Sequence, residues 1–319
     1  MTANRGGPAR VGGPANRGGH ATPARPADLA RCSLNQATVK HARLEQAVAV
    51  AAAAGYAAIG LWRDRVRQTG ARAAARIVAA AGLRVSTLCR GGFLTASDPV
   101  AARAALDDNR RAIEEAATVG AAELVLVVGG LPALSRPGQG PRPQATAADR
   151  DLAATRRRLA DRIADLVPTA LDHGVRLVLE PMHPLFTADR GVIATTAQAL
   201  DLAAPFPPTA VGVVIDTYHV WWDPELERSI GRAGREGRLA AYQLGDWILP
   251  LAADPLHSRG HVGDGYIDFP AITGWMAAAG YAGDVETEIF NQAVWAEEAA
   301  VTAAIVADRY RRQVLPYLD

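Results

Sequence analysis

Lysine is nearly missing from this chain: Lys40 is the one lysine among 34 basic residues, and arginine supplies the rest. So lopsided a choice reflects compositional bias and carries no information about activity. Cysteine is scarce too. Cys32 and Cys89 stand alone, without metal or redox spacing, which excludes a disulfide scaffold and a thiol-rich metal site. Both fall in or beside apolar runs and read as reduced core residues of a cytoplasmic protein. No apolar run approaches the roughly 20 residues needed to cross a bilayer, and the first residues hold no apolar stretch resembling a signal peptide. No membrane role is expected.

What is present is apolar mass, 49% hydrophobic residues over 319 positions, enough to bury a large core. Length alone allows two domains, yet single α/β barrels commonly reach this size. Residues 1–27 are a near-repeat of Gly, Pro, Ala and Arg. Such a segment cannot bury enough apolar surface to offset chain entropy, so it is predicted as a disordered arm, with 28–319 as the folded body. Its Arg5, Arg10, Arg17 and Arg25 face no acid, and because the whole chain carries +1, the body is left at −3. An inert extension is the simpler reading of the arm, weak contact with an anionic surface the other.

From Leu29 onward, short apolar runs alternate with helical patterns. Strands are predicted near Arg31–Asn35, Ala58–Trp62, Val85–Cys89, Leu124–Val128, Arg176–Glu180, Val211–Asp216, Leu239–Gln243 and Asp284–Glu288. Helices are predicted over Ala37–Ala54, Gly70–Ala81, Pro99–Val119, Thr146–His173 and Pro270–Ala279, several closing on a glycine as helix C-termini do. Eight such units point to a single (β/α)8 TIM barrel of the α/β class. In that architecture the strand C-termini converge, so the residues there are the functional candidates. The loop after the fourth strand, LPALSRPGQGPRPQ, fits a mobile lid or an unconstrained surface loop equally well.

The fifth and sixth strands end in Glu180 and Asp216, each followed three residues later by a histidine, His183 and His219. A buried strand that ends in a carboxylate needs a partner for it. Arginine caps would serve; repetition of the acid–histidine pair favours a metal or acid–base site. The eighth strand offers Glu286 and Glu288 on one face by strand alternation.

The segments LEPMHP, GVVIDTYH, GDGYIDFPAI and VETEIFN resemble the xylose isomerase-like TIM barrel, or sugar phosphate isomerase/epimerase, superfamily. The resemblance runs from about Ser33 to the end, including SLNQAT and AAAAGYAAIGLW. It implies a divalent metal held by Glu180, Asp216, Gln243 and Glu288, with Gln243 replacing the usual strand-seven histidine. An all-oxygen set favours Mn²⁺, with Mg²⁺ or Co²⁺ as alternatives; three protein ligands plus water, or a lost metal, remain open at that position. The resemblance also places His219 near metal or substrate, and His183 beside it in a proline-bounded loop. Asp246, Arg259 and His261 are expected near the substrate, and Trp62 and Trp222 as stacking surfaces.

The implied activity is isomerisation or epimerisation of a sugar or cyclitol through an enediolate, with Glu180 and Glu288 relaying the proton and His183 and His219 assisting. The alternative is a lyase, an inosose-type dehydratase or C-glycoside deglycosidase subunit, with His183 as a dedicated base. A deglycosidase would call for a small β-sandwich partner chain; a homo-oligomer is the other assembly left open. A metal-free binding subunit is a third reading. DNA cleavage on the same fold would need more histidines and a basic groove, so no nucleic acid is expected. Because nothing in the arm can pack, a chain beginning near Ala27 is expected to keep its melting temperature and activity; a large loss of either would show that the arm completes the fold.

Overall fold

A computed structural model describes residues 1–3, 26–133 and 145–318. The arm and the tip of the lid loop named above lie largely outside the described residues. Eight parallel strands close into a barrel: β1 Cys32–Asn35, β2 Ala58–Trp62, β3 Arg84–Gly92, β4 Glu123–Val127, β5 Arg176–Leu179, β6 Val211–Asp216, β7 Leu239–Leu244 and β8 Val285–Thr287. Each pairs with its neighbours in sequence, and β8 returns to β1. Among the described residues no helix is long and apolar enough to cross a membrane.

Local chemistry accounts for the helix limits. Pro99–Val119 starts under an Asp98 side chain that accepts from the Ala101 amide at 2.7 Å and ends at Gly120 with φ 79°, as capping and left-handed termination require. Two limits differ from expectation. The first helix breaks into a short 3-10 turn, Gln36–Val39, and a helix, Leu44–Ala53, because Arg43 is extended and donates its amide to Gln46 Oε1. The helix predicted over Thr146–His173 begins at Leu152, where Asp151 caps the Ala154 amide at 2.9 Å. The third strand outruns its prediction through an irregularity between Cys89 and Gly91. Gly92 there has φ 106°, and a Cβ would stand 1.9 Å from the Val127 carbonyl oxygen, so only glycine fits.

Most of the core lies between strands and helices, but a second, separate cluster fills the barrel. Cys89, Val125, Val178, Val214 and Ala241 pack together, one each from β3, β4, β5, β6 and β7. These small side chains form an apolar floor beneath the carboxyl ends of the strands.

At the opposite end, Glu123 sits across from Arg176 at the start of β4 and β5, Oε1 to Nε 3.8 Å. Burial pushes its carboxyl up to about 7 against the opposing pull of Arg176. A raised carboxylate makes the folded chain take up its proton first as pH falls. Stability from this group is therefore complete below the ordinary carboxyl range and declines as pH rises toward 7. Glu123→Gln should raise the melting temperature at pH 8, by a stability gain of about 1–3 kcal/mol, and change it little at pH 4.5. An equal effect at both pH values would contradict this.

Candidate active site

Three strand ends bring acids to one place. Asp216 is the last residue of β6, while Glu180 and Glu288 follow β5 and β8 and are tied back through their own amides to Leu126 O and Leu244 O. His219 lies one turn past Asp216, its Nε2 3.8 Å from Glu180 Oε1 and 4.0 Å from Asp216 Oδ2. Glu180, Asp216 and His219 each offer one donor atom within 4.8 Å of the others.

A single guanidinium stands among them. Arg259, 1% exposed, has Nη2 2.9 Å from Asp216 Oδ2, Nη1 3.5 Å from Glu288 Oε2 and Nη2 3.1 Å from His219 Nε2. Burial works against its charge, but Asp216, Glu288 and Glu180 outweigh burial and raise its pKa further. Because arginine only donates, His219 Nε2 is the acceptor and the ring is neutral. Burial first, and Arg259 second, hold that imidazole well below its usual range. The His183 amide, at the longer distance of 3.4 Å from Nδ1, then meets the nitrogen that carries the ring proton and makes no hydrogen bond to it.

Three carboxylates share this one guanidinium as the cation buried among them, while Arg90 and Arg190 also line the cavity above, Arg190 paired with Asp254. Burial, then the charges of Asp216 and Glu288, push the Glu180 carboxyl far up; burial pushes Glu288 up to about 8 against the pull of Arg259 and raises Asp216 as well. Three buried oxygens here, Asp216 Oδ2, Glu288 Oε1 and Gln243 Oε1, receive no hydrogen bond; the Arg259 contact with Asp216 is a charge contact without hydrogen-bond alignment. Unsatisfied carboxylate and amide oxygens at this depth are costly, and a divalent cation on Glu180, Asp216 and His219, whose donor atoms lie within 4.8 Å of one another, would offset part of that cost. The donor set fits one.

Gln243 and Glu286 divide the roles of the neighbouring positions. Gln243 lies level with Asp216 on β6 and Glu286 on β8. Its Nε2 donates to Glu286 Oε1 at 2.9 Å, which turns Oε1 away as the free acceptor. Glu286 is saturated: Asn35 Nδ2 at 2.5 Å, Thr87 Oγ1 at 2.9 Å and the Ser86 hydroxyl also donate to it. It therefore acts as a hub inside the barrel and leaves Glu288 as the strand-eight acid with a free oxygen.

A cavity of about 270 Å³ opens over the cluster, lined by Glu180, His219, Arg259 and Glu288 on one side and Trp62, Phe93, Met182 and Phe290 on the other. Asp216 and Gln243 lie behind this surface, fully buried. Among the expected substrate contacts, Trp62 and Arg259 line the cavity; Trp222, Asp246 and His261 do not. Trp222 donates to His219 O and meets His183 edge-on. Asp246 accepts four backbone N–H groups, from Trp247, Gly263, Gly265 and Ile267, at 2.7–3.1 Å; it organises the loop that carries Arg259. His261 Nδ1 is buried without a partner beyond that loop. His183 lines no part of the cavity. Its Nδ1 accepts from the Leu185 amide, and its ring lies against Trp247 at 4.7 Å. Among the lining residues the sequence did not mark are Phe290, two past Glu288, and Arg190, held by Asp254 through two hydrogen bonds.

The family described as xylose isomerase-like TIM barrel matches residues 48–305. The chain belongs to that family. A crystal structure of a Sinorhizobium meliloti 1021 protein is 40% identical, with a TM-score of 0.81 over 89% of this chain and 98% of that one. The IOLI protein with a bound zinc atom superposes at TM-score 0.74 with 18% identity, over 90% of this chain and 99% of its own. L-ribulose 3-epimerase follows at 0.67 with 20% identity, over 87% and 92%. At such identities these last two show the shared fold. No curated protein matches the sequence.

Asp246 yields a direct test of how Arg259 is positioned. An asparagine offers one oxygen where two serve four donors, so Asp246→Asn should cost about 3 kcal/mol and speed amide exchange across residues 259–267. Unchanged exchange there would mean that the loop holds its shape without the carboxylate.

Proposed function

We propose that this chain is a divalent-metal-dependent isomerase or epimerase of a small sugar or cyclitol. The observation that carries the reading is the set of buried, unsatisfied oxygens on Asp216, Glu288 and Gln243 behind a cavity walled by Glu180 and Glu288. Glu180, Asp216 and Glu288 would hold the ion, with Gln243 Oε1 or His219 completing the set. The first choice gives an all-oxygen site suited to Mn²⁺ or Mg²⁺; the second adds a nitrogen that zinc accepts. When bound, the ion supplies polarisation of a substrate carbonyl and relief of the negative charge that develops beside it.

The chain's own groups do the rest. Glu180 and Glu288 stand on strands separated by β6 and β7 and so reach the cavity from two sides, as removal of a proton at one face and its return at another requires. Arg259 keeps the carboxylates apart and aims donors at a substrate oxygen. Trp62 and Phe290 present ring faces and edges for the carbon side of a sugar, packed edge-on against each other at 5.4 Å. The names of fold relatives support the same chemistry: L-ribulose 3-epimerase, and a D-psicose 3-epimerase crystallised with D-fructose. The lyase alternative assigns His183 as base. Its enclosure by Trp222 and Trp247, outside the cavity, favours the isomerase.

The test combines metal, product and mutants. Mn²⁺ should raise the melting temperature, and a ketose or inosose substrate should yield an isomer of unchanged mass. Glu180→Gln and Glu288→Gln should each lower kcat by about 10²-fold or more, while His183→Ala costs about 10-fold or less. A product lighter by one water, or a 10³-fold loss in His183→Ala, would establish the lyase instead. No metal on elemental analysis and no response to Mn²⁺ would remove both.

A further inference from the structure

The inner cavity does not end at its aromatic wall. Trp62, Arg90, Phe93 and Phe290 also line a second, outer cleft of about 420 Å³ on the β1–β3 side of the mouth. Five basic side chains face that cleft: Lys40, Arg63, Arg65, Arg67 and Arg90. Three of them are occupied. Arg63 and Arg67 share Asp108 and Glu115 at 2.6–2.9 Å. Arg65 donates to the Lys40 carbonyl at 2.5 Å and stands 4.0 Å from Asp64.

Lys40 and Arg90 have no carboxylate partner among the described residues. Each instead rests on aromatic rings: Lys40 Nζ 4.6 Å from the Trp295 centroid, Arg90 Cζ 4.3 Å from that of Phe93. A cation–π contact fixes the position of a charge and leaves its N–H groups free to donate.

An independent observation points the same way. Gln36 lines this cleft and is 1% exposed. Its Oε1 accepts the Trp62 amide at 3.3 Å, which fixes the orientation of the side chain, and its Nε2 is then a buried donor with no acceptor. Asp64 and Asp108 also line the cleft but are taken up by Arg63, Arg65 and Arg67, so two exposed cations without a carboxylate partner and a stranded amide donor remain for an oxyanion.

We propose that the outer cleft binds an anionic substituent of the substrate, a phosphate ester or a carboxylate, while the reacting carbons occupy the inner cavity. This rests on the reading of the inner cavity given above. Trp62 and Phe290 then lie between the two ends of one elongated molecule. Lys40 and Arg90 select for the charge, and Gln36 adds a directed hydrogen bond.

The full-length chain, freed of metal, is titrated with inorganic phosphate and separately with malonate, at ionic strength held constant with sodium chloride. Melting temperature and calorimetry are read. Saturable binding of one anion is expected, at least tenfold weaker in Arg90→Gln and in Lys40→Gln. It should be unchanged in Arg228→Gln, which removes the same charge from a side chain 84% exposed on another face. Preference for phosphate identifies an ester, preference for malonate a carboxylate. Neither anion binding beyond the chloride control, or equal weakening in Arg228→Gln, overturns the proposal. Response to Mn²⁺ is followed in parallel. Its absence with anion binding intact would count against the metal-dependent activity alone, and the converse would count against the anion site alone.

Discussion

An excess of carboxylate over cation at one buried end of the barrel sets the terms for the rest of the molecule. Glu180, Asp216 and Glu288 are each placed by a strand, so their positions follow from the closed hydrogen-bond ladder and cannot relax apart. Arg259 supplies the counter-charge in direct contact with them, from a two-residue ribbon in the loop after β7, Arg259–Gly260, which pairs antiparallel with Asp246–Trp247. That loop is shaped by Asp246 and pinned by Asn291, whose Nδ2 donates to Arg259 O at 2.8 Å. The electrostatics of the site thus depend on a backbone turn several residues away from any reacting group, through a carboxylate that never meets the cavity. Below the acids lies the floor of Cys89, Val125, Val178, Val214 and Ala241, apolar but for the Cys89 sulfur that accepts from Gln243 Nε2 at 3.8 Å, so the charges above it are weakly screened from that side.

Much of this was legible in the residues alone. Short Val/Leu/Ile runs locate strands such as β4, β5 and β6, because a strand buried on both faces tends to be apolar throughout; β1 and β8, which carry Ser33, Asn35 and Glu286, are located by their place in the alternation with helices. Glu180 and Asp216 end such runs, so the fold itself brings them together. What a strand end does not reveal is the direction of a side chain once the chain has left the ladder. His183, Trp222, Asp246 and His261 all sit in that territory. Spacing by three after an acid made His183 and His219 look equivalent. The structure separates them: His219 lies within a short helix, Thr217–Val220, that turns its ring inward, whereas His183 precedes a proline turn that carries its ring out against Trp247. Asp246, three past Gln243, reads from spacing as a neighbour of the substrate; its four partners are amides from glycine-rich backbone, a signal with no side-chain trace.

The same limit explains Glu286 and Glu288. Alternation puts both on the inner face and cannot choose between them. The choice comes from depth: Glu286 meets Asn35, Thr87, Ser86 and Gln243, all of which can donate, while Glu288 is level with the mouth and keeps an unsatisfied oxygen. Inside the barrel, polar and apolar sectors lie side by side. The β1, β3 and β8 side holds a hydrogen-bonded network around a carboxylate, and the β4 to β6 side holds valines. Gln243 lies at the seam, donating to the polar sector, with its oxygen left for the site above.

Glu286 has one further requirement. Its carboxylate fills the space beside Gly60 on β2, where an added Cβ would stand 2.5 Å from the carboxyl carbon. The side chain missing from one strand is replaced by the acid reaching across from another. The two positions therefore constitute one unit of heredity in the interior: homologues that acquire alanine at 60 should be those that have shortened or discarded the acid at 286, and the residues around Gln243 should change in the same lineages.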